Sequence, residues 1–400
     1  MIKFFIFIMI SILLITNSFS LEKSTSKKKI NKTEQLLAET ADNISEGKIE
    51  AALQSVKGLI DMNPNFKLAH MIHGDLLLIQ SHNYDQVSEE TYKHYEKKIS
   101  DLKLELSRRI ESYKNLDKNL IQSKIKVLLA QNIKYLIFVD VKSSRLFAFS
   151  NNKGSLEYVS DHYMSVGKKG YGKKFEGDKK TPIGTYFIKK KITSKLPDLY
   201  GEGAYSINFP SAYDRLNNFT GSGIWIHGAP SSTYSRPPQS SDGCIVLSND
   251  NIKGLAYIFN ETGTPVIISD TGLENITGRD DLDIDTARID ILNKIQGWRT
   301  SWEEKNIDNY LSFYSKKAVY NTDSYLKWTT HKRNVFKRSL DLKVMIEDIS
   351  IFEYPGIDEE LVLVKFNQKY SSNLLKNEMV KQQIWRKRNS VWSIIFEGGA

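Results

Sequence analysis

One thiol and one imidazole carry the chemistry this sequence offers. Cys244 is the only cysteine among 400 residues, and it closes the run Ser241-Asp242-Gly243-Cys244, seventeen positions after the pair His227-Gly228. A lone thiol forms no internal disulfide. A thiol among small residues, with a histidine fixed upstream, fits a nucleophile and its base. The attacking form is the thiolate, and a free cysteine ionises only near pH ~8.5, so at neutral pH it needs a proton acceptor within hydrogen-bond reach. An imidazole is such an acceptor. Gly243 lets backbone N–H groups approach a developing oxyanion without a side-chain clash. The competing reading of any lone cysteine is a buried, inert side chain in a strand. The residues around Cys244 favour the nucleophile.

The elements that must position this pair show in the periodicity. From Tyr135 the pattern is β: Tyr135-Leu136-Ile137-Phe138-Val139-Asp140-Val141 runs out, Lys142-Ser143-Ser144 turns, and Arg145-Leu146-Phe147-Ala148-Phe149 returns. Short β segments separated by Gly and Asn continue to Pro265-Val266-Ile267-Ile268. A rigid sheet is expected there, with the chemistry on its loops. Residues 34 to about 130 have few Gly and Pro and apolar residues at spacings of three and four, which predicts helices. Residues 271–285 are polar and acidic and read as a linker. A tail joined this way is expected to fold alone. That tail, 286–400, opens as a helix with Ile289, Leu292, Ile295, Trp298 and Trp302 in phase. Strands follow at Leu342–Phe352, Glu360–Tyr370, Glu378–Arg388 and Ser390–Phe396.

The motifs resemble a known family. Ile224-Trp225-Ile226-His227-Gly228-Ala229-Pro230, a Ser/Pro-rich loop, then Ser241-Asp242-Gly243-Cys244 and Asn249 resemble the L,D-transpeptidase catalytic domain, the YkuD family. Gly177-Asp178-Lys179-Lys180-Thr181-Pro182-Ile183-Gly184-Thr185-Tyr186 resembles its GDxKTPxGxY segment. Asn208-Phe209-Pro210 with Asp214-Arg215 resembles the stretch before its histidine. The likeness spans 133–270. Two positions depart from it: Asp242 stands where a histidine is usual, and Val246 where an arginine is usual. They look more like a divergent subgroup that includes hydrolytic members.

The flanks carry weaker likenesses. Gly47, Ala51, Ala52, Leu53, Leu59, Asn63-Pro64-Asn65, Ala69, Gly74 and Leu76 resemble one tetratricopeptide unit, with helices at about 44–62 and 66–80. A plain helical hairpin is the alternative. The tail, with Trp298, Trp302, Tyr310, Phe313 and Tyr314 on its opening helices and Trp392 on its last strand, resembles an NTF2-like (SnoaL-like) cone. Its aromatics are expected to be core. The fold class is therefore multidomain α+β: a helical N-terminal region over 21–132 with a possible tetratricopeptide-like unit, a mainly-β catalytic domain, and an α+β NTF2-like cone.

The resemblance implies an activity. The substrate would be a peptidoglycan stem peptide, attacked at the bond between meso-diaminopimelate and the terminal D-alanine. Cys244 would form a thioester, His227 would take and return the proton, and the Gly228 carbonyl would orient the imidazole. Backbone N–H groups of Gly243 and Cys244 would hold the oxyanion, and Ser241 would brace the loop beside Asp242. Arg215 and Arg236 are candidates for clamping substrate carboxylates. No metal or organic cofactor is implied. Water as acceptor gives an L,D-carboxypeptidase that trims tetrapeptide to tripeptide. An amine gives a transpeptidase, forming cross-links or attaching a protein to the wall. A wall-binding scaffold without chemistry is the reading from another class. The three-part order resembles the L,D-carboxypeptidases that shape helical cells, so hydrolysis is the expected branch.

Composition and the first residues bound the setting. Met1-Ile2-Lys3, the apolar run Phe4 to Ile15 and the small residues before Ser20 read as a secretory signal over 1–20, which predicts export to the periplasm. The net charge of +9 suits anionic wall polymers, and other cell-wall proteins are conceivable partners. Nucleic acid is a poor reading, since no recognition motif is present. His70, His73, His82 and His94 lie in the helical part without ligand spacing, which speaks against a metal. Oligomeric state is not legible. The lysine-rich stretch Lys168 to Lys180 reads as a solvated loop or a polymer-attracting one.

Overall fold

The computed structural model describes residues 31–81, 89–115, 127–270, 281–316, 325–338, 341–356, 359–373 and 375–400. The predicted signal, His82 and most of the predicted linker lie outside them. The described chain opens with helices α1 (Lys32–Ser45), α2 (Ile49–Met62), α3 (Lys67–Ser81) and α4 (Glu89–Asn115). The helix expected over 44–62 is interrupted, because Gly47 turns the chain at φ 72° between α1 and α2, a conformation glycine adopts without a Cβ clash. The turn at Asn63-Pro64-Asn65 is where its residues predict. Ala52, Val56 and Leu59 of α2 face Leu68, Ala69, Ile72 and Leu76 of α3, and Leu37 and Ala41 of α1 with Leu106 and Ile110 of α4 complete that core.

A short strand, β1 (Val127–Ala130), then leads into the β region. The strands β2 (Tyr135–Asp140), β3 (Arg145–Asn152), β4 (Ser155–Tyr163), β5 (Val166–Gly167), β6 (Gly184–Lys191) and β7 (Ala204–Ile207) come next. They are followed by helix α5 (Ala212–Leu216), β8 (Trp225–His227), β9 (Gln239–Ser241) and β10 (Ile245–Val246). Helices α6 (Asn249–Gly254) and α7 (Ala256–Phe259) precede β11 (Pro265–Ser269). Eight of these strands form one sheet in the order β10-β8-β7-β6-β11-β2-β3-β4. β5 and β9 make a separate parallel pair.

Both faces of the central strands are buried. Ile137 and Val139 of β2 and Leu146 and Ala148 of β3 point into a core shared with α6 and α7. Leu136, Phe138, Phe147 and Phe149 point the other way. This is why the sequence runs apolar through β2 rather than alternating.

The second face is covered by the C-terminal sheet. Here α8 (Asp281–Glu303), α9 (Ile307–Ser312) and α10 (Tyr325–Arg338) precede β12 (Lys343–Glu353), β13 (Glu360–Ser371), β14 (Lys376–Arg388) and β15 (Val391–Gly399). The helix starts at Asp281, inside the stretch read as linker. Its inner face is Ile291, Ile295, Trp298 and Trp302, all buried, whereas Ile289 is exposed. The expected aromatics Trp298, Trp302, Tyr310 and Tyr314 do pack as core, between the helices and one face of this sheet. From the other face Phe352, Leu361, Leu363, Ile384 and Ile395 meet Phe138, Phe147, Phe149 and Phe187 of the eight-stranded sheet in one shared core. The sheet order is β1-β12-β13-β14-β15, so its edge strand comes from before the eight-stranded sheet in the chain, with Ala130 opposite Ser350. Among the described residues no helix is long and apolar enough to cross a membrane.

Candidate active site

Parallel pairing sets the strand that ends in His227 beside the strand that follows Cys244. Ile245 of β10 lies opposite Ile226 of β8, and Val246 opposite His227. Ile226 and Ile245 point into the core. His227 and Val246 therefore take the opposite side of the sheet, and Cys244, two residues before Val246, shares it. The thiol lies 3.5 Å from the Gly223 carbonyl, to which it donates. The seventeen-residue spacing thus encodes a strand, a long loop and the neighbouring strand.

The imidazole is fixed in one tautomer. Its Nδ1 is 2.7 Å from the Gly228 carbonyl. A carbonyl only accepts, so Nδ1 carries the proton and Nε2 holds the lone pair. His227 is 2% exposed. Burial, opposed by the Gly228 carbonyl and aided by the Arg236 cation, holds its pKa down to about 4. Burial likewise pushes the Cys244 thiol up, partly offset by the Trp225 backbone hydrogen bond and by Arg236. At neutral pH the thiol and the imidazole are therefore both uncharged.

The turn that holds His227 is buttressed from three sides. Gly228 N–H donates to the carbonyls of Tyr200 and Gly203, each at 3.1 Å. Asn249, at the start of α6, donates to the Ala229 carbonyl at 2.9 Å and accepts from Glu202 N–H at 3.0 Å. A Cβ on Gly228 would overlap the Asn249 side-chain oxygen and lie 3.0 Å from Glu202 N. The Tyr200 ring sits edge-on to His227 at 5.0 Å and packs on Trp225 at the same distance. Sequence reasoning did not single out Tyr200. Asn249 was noticed only as part of the motif, without this buttressing role.

The cysteine loop is tied to the Lys-rich segment. The Ser241 hydroxyl donates to the Cys244 carbonyl at 2.6 Å and accepts from Gly243 N–H at 3.1 Å. Of the two N–H groups expected to hold an oxyanion, that of Gly243 is thus engaged within the loop. Thr181 accepts from Gly167 N–H at 2.9 Å and donates to the Gly243 carbonyl at 3.0 Å. Asp242 is exposed and pairs with Lys168 at 2.7 Å. That bond, against slight burial, holds its carboxyl below the usual range, so Asp242 is ionised. Lys173 is no solvated lysine: it is 5% exposed and pairs with Asp178 at 2.8 Å.

The two candidate arginines are placed differently. Arg236, in the loop between β8 and β9, is electrostatically coupled to both His227 and Cys244, and its guanidinium donates to the Ser240 carbonyl. Arg215, on α5, donates to the Pro210 carbonyl at 2.6 Å. Its helix packs on the C-terminal domain, where Ser211 and Tyr354 hydroxyls are 3.2 Å apart. Among the other histidines, His162 is half-buried and bonds Ser160, and His70 bonds the Pro64 carbonyl. Among the described residues no three His, Cys, Asp or Glu side chains converge as a metal site.

Residues 134–268 match the L,D-transpeptidase catalytic domain, and residues 290–398 match the Cds6 C-terminal NTF2-like domain. The structure of Bd1075 from Bdellovibrio bacteriovorus is 28% identical, with a TM-score of 0.58 over 69% of this chain and 97% of that one. The helical cell shape determining protein Pgp2 from Campylobacter jejuni is 23% identical, with a TM-score of 0.58 over 70% of this chain and 97% of that one. No curated protein sequence matches the chain significantly.

Proposed function

We propose that this chain, which carries an L,D-transpeptidase catalytic domain followed by an NTF2-like domain, is a peptidoglycan L,D-carboxypeptidase working through a Cys244 thioester. The observation that carries the reading is the His227 tautomer. With Nδ1 committed to Gly228, only Nε2 can take a proton, and the strand pairing sets this imidazole and the thiol on one side of the sheet. The sulfur attacks the carbonyl carbon between meso-diaminopimelate and D-alanine while Nε2 takes the thiol proton. Nε2 then gives that proton to the leaving amine of D-alanine, and the thioester remains. Water, deprotonated by the same nitrogen, opens the thioester and regenerates the thiol. The products are a tripeptide stem and free D-alanine. The Gly228 carbonyl stabilises the transient imidazolium in place of a carboxylate.

Hydrolysis is favoured over amine transfer by the site's departures from the cross-linking pattern. Asp242 and Val246 replace a histidine and an arginine, and Asp242 is ionised beside the thiol. A carboxylate there keeps an incoming ammonium charged, and a charged amine does not attack. The Campylobacter relative is a helical cell shape determining protein; the proposal extends to a part in cell shape and, with the signal read over 1–20, to a periplasmic location. Incubation with purified disaccharide-tetrapeptide decides it. Tripeptide with stoichiometric D-alanine by mass spectrometry is the expected result. Dimers joined through two diaminopimelates as the main product would assign the transpeptidase branch, and no conversion would return the scaffold reading.

A further inference from the structure

The long loop between His227 and Cys244 is gripped by the N-terminal helices. The Ser235 hydroxyl donates to Glu105 Oε1, on α4, at 2.6 Å. The same carboxylate oxygen accepts from Arg109 Nε at 3.0 Å, and Arg109 Nη1 reaches Glu34 at 2.6 Å. The Arg109 guanidinium stacks on the Tyr163 ring at 3.8 Å. The Tyr163 hydroxyl in turn donates to the Arg236 carbonyl at 2.9 Å, and Ser165 donates to the same carbonyl at 2.8 Å. Ser165 exchanges two backbone bonds of 2.9 Å with Val246, the register partner of His227. Nearby, Asn65 bonds the Ser231 carbonyl at 2.9 Å, and Tyr234 packs on Phe66 at 4.9 Å.

Glu34, Glu105 and Arg109 are each at most 2% exposed. Ion pairs buried this deeply add little stability over apolar packing, because desolvation offsets the attraction. Their contacts are directional, however, and here they reach Ser235 by a hydrogen bond and Tyr163 by ring stacking. We propose that Glu105 and Arg109 are positioning residues: through Ser235 and Tyr163 they fix the backbone of Arg236 and thereby keep its guanidinium on the Ser240 carbonyl, four residues before the thiol. The inference rests on Cys244 being the nucleophile, as proposed above. It gives the helical region a part in the reaction.

Cys244 is the sole thiol, so iodoacetamide reports on it alone and needs no stem peptide. The charged groups around the thiol are Arg236, Asp242 and Lys173, with His227 on the adjoining strand; those around Glu105 are Arg109 and Glu34. The rate of alkylation is measured by mass from pH 5 to 10 for the full mature chain and for Ser235→Ala, Arg109→Lys, Glu105→Gln and Arg236→Met, with thermal melting alongside. Withdrawing a cation from a thiol lowers its thiolate fraction. Ser235→Ala and Arg109→Lys should therefore slow alkylation at pH 7 by about threefold to tenfold and move its pH midpoint upward. Arg236→Met should do the same, and adding Ser235→Ala to it should slow alkylation no further. Glu105→Gln keeps an acceptor for Ser235 and should retain more of the rate. A folded Ser235→Ala variant with the wild-type midpoint and rate overturns the proposal, and so does additivity with Arg236→Met. A wild-type chain that is alkylated yet releases no D-alanine refutes the reaction proposed above, while the midpoint shifts still decide the clamp.

Discussion

Gly228→Ala probes the catalytic turn with a single methyl group. Its Cβ would overlap Asn249 Oδ1 and crowd Glu202 N at 3.0 Å. Either Asn249 withdraws or the 228–229 backbone moves. Withdrawal breaks two hydrogen bonds, to Glu202 N–H and the Ala229 carbonyl, at about 1 kcal/mol each. Overpacking adds about 1–3 kcal/mol. A loss of roughly 3–5 kcal/mol is a large share of the ~5–15 kcal/mol that keeps a domain folded. Backbone movement would also displace the carbonyl that fixes His227 Nδ1, lowering kcat by ~10²-fold. Differential scanning calorimetry and D-alanine release measure the two effects. The double variant with Asn249→Ala removes the clashing oxygen, so its destabilisation should fall short of the sum of the single variants by at least ~1 kcal/mol. A Gly228→Ala enzyme with wild-type melting and turnover, or an additive cycle, would refute the buttress.

Cys244→Ala should abolish D-alanine release while leaving circular dichroism unchanged; residual turnover in the folded variant removes Cys244 from the reaction. Desolvation holds His227, buried, and His162, half-buried, neutral to about pH 4, whereas the unfolded chain protonates histidine near pH ~6.5. The unfolded state therefore binds more protons between those values, so the melting temperature should fall as pH drops from 6.5 to 4, and His162→Gln should flatten that slope. Ending the chain at residue 270 exposes Leu136, Phe138, Phe147, Phe149, Phe187 and Ile267, which the C-terminal sheet now covers. At about 1.5–3 kcal/mol each that rivals a domain's whole stability, so the truncated chain should aggregate on size-exclusion chromatography. A monodisperse, folded product would show that the shared core is dispensable.

What the sequence made legible is what its local order encodes. The spacing from His227 to Cys244 could be read as two short strands joined by a long loop, and those strands are direct neighbours in the sheet. The β region and the tail strands were readable from β-rich runs, and the tail's aromatic core from its helix phase. That phase was misread at one position: Ile289 lies roughly 200° round the helix from Ile291, which points inward. The polar stretch 271–285 reads as a linker to a tail that folds alone, yet polarity of a connecting segment says nothing about what the two sheets bury against each other. β1 was illegible for a related reason. Val127–Ala130 is four residues long and pairs with Ser350 to Phe352, so nothing near it in the sequence announces its partner. Tyr200 and the role of Asn249 emerge only when distant loops meet at Gly228.

The origin of that edge strand orders events in time. A chain made from its N-terminus presents β1 and the apolar side of the catalytic sheet early. Neither is covered until residues 343–396 have followed. Pairings this remote in sequence form late and slowly, and uncovered strands invite association with other chains meanwhile. Folding of the eight-stranded sheet is thus tied to synthesis of the tail: a prematurely terminated product is left with an exposed apolar surface, open to proteolysis.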